Sequence, residues 1–303
     1  MKFGRIILAL LRRNVDKGVE KLRKAQPPHG EVKEWLNVFA DPSGDPFLTY
    51  DVYQGKAPRK NILIVDIHGG AYMCSDHGAN YPFCLEFARE GFDVASLDYR
   101  RNNGKIDTID QFQDIAKGFN HLFAHLSDYG LERQPVVLTG DSAGGHFALL
   151  LAEALLNPRL AKELGVELPR IDLKAVLVNS PVYDFVPCGE NALTKGARKR
   201  MFGPRYADKM LRMLLSPREH IADLAIPLFL STCNQDFLRG EAMLLKEDFE
   251  KTGRRFGFLD IESKDPHVNH VHNVTQPWLK ESKQVNQAMM DFAAEAVEIA
   301  KND

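Results

Sequence analysis

Pro135-Val136-Val137-Leu138-Thr139, followed at once by Gly140-Asp141-Ser142-Ala143-Gly144, decides how this chain is read. The first five residues have the apolar, β-branched character of a short buried strand. Phe147 to Leu156 continues with the spacing of a helix. A serine on a tight strand-to-helix turn is forced into a strained backbone, with its hydroxyl exposed and the following N–H groups aimed into the same space. The flanking glycines fit that geometry, because a Cβ there would collide with the neighbouring strand or helix. The plain alternative is a small-residue turn carrying an exposed serine, so the rest of the chain must decide.

A second motif lies upstream. Asn61-Ile62-Leu63-Ile64-Val65-Asp66-Ile67 reads as a central strand and runs into His68-Gly69-Gly70-Ala71-Tyr72. Acyl transfer builds negative charge on a former carbonyl oxygen, and fixed backbone N–H donors about 3 Å away stabilise it. The loop at Gly69, Gly70 and Ala71 is therefore the candidate donor set, converging with the N–H of Ala143. Its structural alternative is a simple glycine turn with His68 as a hydrogen-bonder.

A serine nucleophile needs a base and an orienting acid, which follow the serine in the order acid, then histidine. Pro227 to Thr232 is a further strand-like run, and Asp236 falls in the loop beyond it, where open α/β sheets place functional groups. Asp236 also precedes a helical pattern from Phe237 to Phe249, so it fits a helix cap as well. Asp184 is the second candidate for the acid. The base is one of His267, His270 and His272, all in the loop after the strand Phe256 to Ile261. His270 and His272 lie nearest the helix that starts near Pro277. Metal binding is the other use of such a cluster, but no Cys/His pair elsewhere has zinc spacing, so neither a metal nor an organic cofactor is expected.

His68 to Tyr72, Asp98-Tyr99-Arg100 and Gly140 to Gly145, together with the late acid and histidine, resemble the hormone-sensitive-lipase-like branch of the α/β-hydrolases. The resemblance covers roughly positions 45 to 300. It implies an α/β-hydrolase fold with a mostly parallel central sheet, helices on both faces and a small helical cap. It also implies a triad of Ser142, Asp236 and His270, with His270-Val271-His272 standing where that branch has His-x-Phe. The activity implied is hydrolysis of small to medium carboxylic esters, acetyl esters among them. Amide or peptide cleavage by the same triad and a non-catalytic binding module are the rivals. Two departures stand out: Ala71 replaces the third glycine of the usual loop, which narrows the space beside the acyl carbonyl, and Arg101 to Gly104 replace the motif that usually follows Asp98-Tyr99-Arg100.

Composition fits that reading. The 303 residues can bury a large core, and a net charge of −2 leaves no electrostatic footprint for nucleic acid. Cys74, Cys84, Cys188 and Cys233 show no paired framework, which points to a reducing, cytoplasmic setting. Self-association is left open. The apolar run Ile6 to Leu11 is too short to span a bilayer and lacks a cleavage site. Residues 1–40 are expected to hold an amphipathic helix, over about 5–24, that serves as a cap element, with weak membrane-surface attachment as its rival. Residues 41–303 form the catalytic domain, and a basic, irregular stretch at about 183–216 reads as an inserted lid. Tyr72, Met73, Tyr183, Phe185 and Phe202 are candidate pocket residues. Phe47 to Tyr53 alternates as an edge strand does.

Overall fold

Leu63, Val65 and Ile67 fall in one buried cluster, while Ile62 and Ile64 fall in another on the opposite face. Successive side chains of a strand point to opposite faces, so a strand apolar at every position must be covered on both sides. The same division separates Val136 and Leu138 from Val137, and Leu228 and Leu230 from Phe229. These are the inner strands of an eight-stranded sheet. The chain is described by a computed structural model over residues 13, 17–186 and 199–302.

The strands are β1 (Lys33–Phe39), β2 (Thr49–Gln54), β3 (Leu63–Ile67), β4 (Asp93–Leu97), β5 (Val136–Asp141), β6 (Leu173–Asn179), β7 (Leu228–Cys233) and β8 (Phe256–Ile261). Their order across the sheet is β1-β2-β4-β3-β5-β6-β7-β8. β1 and β2 pair antiparallel, as do β2 and β4, and the other pairs are parallel. The edge expected at Phe47 to Tyr53 is therefore one strand further out. β2 is buried along nearly its whole length because Lys33–Phe39, inside the segment expected to hold only a helix, pairs with its outer side. Trp35 and Val38 pack against the core from that edge.

Helices cover both faces. Residues 17–25 are helical and are labelled α1 here. The others are α2 (Tyr81–Arg89), α3 (Thr108–Ala124), α4 (Ala143–Leu156), α5 (Pro158–Glu163), α6 (Lys209–Leu214), α7 (Arg239–Glu250), α8 (His272–Thr275) and α9 (Lys280–Asn302). Phe83, Leu85 and Phe87 of α2 share a core with Val285, Met289 and Phe292 of α9. Phe112, Ile115 and Phe119 of α3 join Leu149 and Leu150 of α4 and Leu245 of α7 on the other face. α4 is buried almost all round, as a helix apolar on every side must be. The remainder of the expected N-terminal cap helix, residues 187–198 of the expected lid and Cys188 lie outside the described residues. No helix among the described residues is long and apolar enough to cross a membrane.

Glu153 is the exception inside α4. Both carboxyl oxygens are buried, with no hydrogen-bond partner among the described residues. Burial, and then the nearby charge of Asp223, push its pKa well above the ordinary carboxylate value. The folded state therefore favours the neutral acid of Glu153 to higher pH than the unfolded chain, which ionises it above about pH 4.3. Its contribution to stability is full at low pH and is lost as pH rises towards the folded pKa. Glu153→Leu should raise the melting temperature, by a margin that widens between pH 4.5 and pH 8. Thermal unfolding followed by circular dichroism across that range checks it, and a pH-independent difference would contradict it.

Candidate active site

The sharp turn between β5 and α4 holds Ser142 at φ +54°, a region a side-chain-bearing residue rarely enters. Such a residue costs on the order of 1–3 kcal/mol and persists only when its surroundings enforce it. Here they do. The Ser142 N–H donates to the Asn179 carbonyl at 2.9 Å, and the Ser142 carbonyl accepts from the N–H groups of Val182 and His146, each at 3.1 Å. Two residues on, a Cβ at Gly144 would run into the carbonyl of Ile67 and the backbone of His68. The elbow thus lies directly against the end of β3.

His270, in the loop between β8 and α8, faces the serine. Its Nε2 lies 3.0 Å from Ser142 Oγ, and its Nδ1 lies 2.9 Å from Asp236 Oδ1. The same carboxylate oxygen accepts the Leu238 N–H at 2.7 Å, and the other accepts the hydroxyl of Ser180. Burial works to raise the pKa of Asp236, but His270, Ser180 and Leu238 together hold it below the ordinary value. Asp236 therefore orients the imidazole and organises the entry to α7 at once. The other candidates go elsewhere. His267 is exposed and bonds Asp265, His272 is buried on Ser282, and Asp184 pairs with Arg218 at 2.9 Å. Among the described residues no group of three His, Cys, Asp or Glu side chains is arranged to hold a metal ion.

The glycine loop differs from expectation at its first residue. The Gly69 N–H donates to Asp141 Oδ1 at 2.9 Å, so that donor is already engaged. Gly70 (φ +125°) and Ala71 (φ +51°) carry the reversal of the chain, and a Cβ at Gly70 would strike the Cys74 carbonyl. The Ala143 N–H is at the first position of α4, where no intrahelical acceptor exists.

The candidate pocket residues are also corrected: four of the five are buried, Tyr72 at 1%, Met73 at 5%, Tyr183 at 0% and Phe185 at 6% exposure, and Phe202 is half-buried. Tyr72 sits at φ +64° and turns inward, its hydroxyl 3.0 Å from His146 Nδ1 and its ring edge-on to Phe147, Phe185 and Phe202. Tyr183 reaches Asp248, and Met73 packs with Cys74 against Ala71 and Met201. Aromatic residues of this size gain most by burial, and these form the floor beneath the loop.

Residues 50–239 match the BD-FAE family model, a span that includes the glycine loop, Ser142 and Asp236. This chain belongs to the BD-FAE family. It is similar to the "Probable carboxylic ester hydrolase LipM" of Mycobacterium tuberculosis, 26% identical over 221 residues that cover 67% of this chain and 50% of that protein. Bovine (Bos taurus) hormone-sensitive lipase is 24% identical over 149 residues, 48% of this chain and 20% of the lipase. The chain thus spans half or less of the length of these two relatives. Among solved structures, Esterase B from Lactobacillus Rhamnosis is 25% identical with a TM-score of 0.84, covering 100% of this chain and 99% of that one. The fold is the α/β-hydrolase fold, and the resemblance to its hormone-sensitive-lipase-like branch holds.

Behind the BD-FAE loop lies a buried polar network that sequence reasoning missed. Asn80 Nδ2 donates to Asp141 Oδ1 at 3.0 Å and to Asp66 at 3.1 Å, and Ser96 Oγ donates to Asp66 at 2.7 Å. Burial, with the charge of Asp141, pushes Asp66 up to about 7. Beside it His68 reaches Asp98 at 3.1 Å, and His77 bridges Asp98 and Asp51 at 3.1 Å each. Burial alone would lower His77, but these two carboxylates push it up to about 10. Arg101 closes the cluster on Asp98 at 2.5 Å. Asp66, a lone acid in an apolar strand, was the one visible signal. Asn80→Ala should lower stability by about 2–4 kcal/mol, since buried carboxylates lose a shared donor. The deficit should be larger at pH 8, where Asp66 is ionised, than at pH 5. Denaturant titration at the two pH values checks this, and equal deficits would contradict it.

Proposed function

We propose that this chain is a serine carboxylic-ester hydrolase that works through an acyl-enzyme, with Ser142 as nucleophile, His270 as general base and acid, and Asp236 as the orienting acid. The observation that carries the reading is the single imidazole lying 3.0 Å from Ser142 Oγ and 2.9 Å from Asp236. His270 takes the Ser142 hydroxyl proton on Nε2 as Oγ bonds to the ester carbon, while Asp236 stabilises the imidazolium. The carbonyl oxygen, now negative, is held by N–H groups of Gly70, Ala71 and Ala143. As the intermediate collapses, the Nε2 proton passes to the leaving alcohol. Water then repeats the cycle: His270 takes its proton, hydroxide oxygen bonds to the acyl carbon, and the acid leaves as Ser142 recovers its proton.

Three further points support the reading's finer parts. The Ala71 methyl favours small to medium substrates, acetyl esters among them. α1 and the stretch after residue 199 act as cap and lid: the Arg23 guanidinium pairs with Asp76, Gln26 reaches the Gly78 carbonyl at 2.5 Å, and Arg205 pairs with Asp107 at 2.7 Å. The buried thiols of Cys84 and Cys233 fit a reducing, cytoplasmic location.

A fluorophosphonate probe should label the wild type once, at Ser142. Ser142→Ala should not react, and His270→Ala should react far more slowly. Hydrolysis of 4-nitrophenyl acetate should fall by roughly 10⁴-fold or more in either variant, and by about 10⁴-fold in Asp236→Asn. A folded wild type that neither labels nor turns over ester would overturn the proposal.

A further inference from the structure

Phe237 is a large apolar side chain left 77% exposed, and its ring centroid lies 4.2 Å from that of His270 at an interplanar angle of 44°. Lone exposed apolar residues are ordinary. This one is held in place on both sides. The Asp236 N–H donates to the Cys233 carbonyl at 3.1 Å, the Leu238 N–H to Asp236 Oδ1 at 2.7 Å, and the Arg239 N–H to the Asp236 carbonyl at 3.2 Å. The turn that fixes the acid therefore also fixes the backbone of its neighbour, and the exposed phenyl ring lies against the imidazole.

The chemistry of the imidazole gives that position a meaning. In an ester hydrolase the protonated Nε2 delivers its proton to the oxygen of the departing alcohol, so the alcohol leaves on the side of His270. The acyl group stays bonded to Ser142, and the carbonyl oxygen turns to the N–H donors of the glycine loop and the α4 terminus. A side chain packed on the His270 ring meets the alcohol rather than the acyl chain. Resting on the hydrolase reading, we propose that Phe237 forms the wall of the leaving-alcohol subsite and selects esters of flat, apolar alcohols, such as arylmethyl alcohols, over esters of polar ones. An aromatic group laid on Phe237 covers exposed apolar surface and gains ring–ring contact. A hydroxyl or ether oxygen laid there gives up water and finds no donor or acceptor in return.

The test compares benzyl acetate with 2-methoxyethyl acetate, which share an acyl group and have alcohols of similar acidity, in wild type, Phe237→Ala and Phe237→Trp. Active enzyme is first counted by fluorophosphonate labelling, so misfolded material does not enter the rates. The wild type should favour the benzyl ester in kcat/KM. The ratio between the two esters should fall roughly tenfold in Phe237→Ala and be kept in Phe237→Trp. The preference between benzyl acetate and benzyl hexanoate should not follow it. A ratio unchanged in Phe237→Ala, or an effect confined to acyl chain length, would overturn the proposal while leaving the hydrolase reading intact. A wild type that neither labels nor hydrolyses any ester would overturn the hydrolase reading, and the subsite with it.

Discussion

The approach of the serine elbow to the end of β3 is the constraint on which the rest of the site depends. Gly144 meets the carbonyl of Ile67 so closely that no side chain fits between them, and Asp141 takes the N–H of Gly69. Two segments far apart in sequence are thereby fixed to each other by backbone contact and one buried hydrogen bond. The nucleophile and the loop that would hold the oxyanion cannot move independently. Because β3 and β5 are paired neighbours in register from Leu63↔Val136 to Ile67↔Gly140, the sheet itself sets that distance.

Burying Asp141 for this purpose has an electrostatic consequence. A carboxylate out of water needs donors or a proton, and it has Gly69 and Asn80. Asn80 in turn is shared with Asp66, so the two acids compete for one amide and Asp66 is driven towards its neutral form. On the far side, Asp98 collects His68, His77 and Arg101 and is held well below the ordinary carboxylate range, despite its burial. Acid and base thus alternate behind the loop. Asp76 then extends the chain of charges to Arg23 of α1. Arg23 of α1 thereby joins the charges that brace the glycine loop.

Much of this was legible in the sequence, for a physical reason. Ser142, its glycines and the strand before it follow from local backbone requirements, and local requirements are written in consecutive residues. The inner strands are equally readable, since burial on both faces demands unbroken apolar runs. What escaped depends on partners distant in the chain. Lys33–Phe39 lies in the segment read as an N-terminal helix, and it is a strand because β2 offers it an edge. Tyr72 resembles a pocket residue until the positive φ turns it inward onto His146. Gly69 resembles an oxyanion donor until Asp141 claims its N–H. Residue type alone leaves His267, His270 and His272 equivalent, the family resemblance favours His270, and the fold sets His270 against Ser142 with His267 exposed and His272 buried.

The two halves of the site are held by unlike forces. The serine and the glycine loop rest on buried sheet and charge. The base loop rests largely on side-chain amides: Asn234 and Gln235 bond the carbonyl of Ser263, Gln235 also reaches Asp265, and Gln276 reaches His267. These bonds are mostly exposed, and water competes for each of them. Other ties are buried: His272 Nδ1 lies 2.9 Å from Ser282 Oγ, and Asn273 Nδ2 donates to Asn179 Oδ1 at 2.8 Å, while the Asn179 backbone carbonyl holds the Ser142 N–H. Asn179 thus couples the elbow to the segment just after His270. Ser142 and the glycine loop are thereby tied to the buried sheet. The His270 loop combines buried anchors at Val268, His272 and Asn273 with exposed amide bonds, and Phe237 beside it is left exposed.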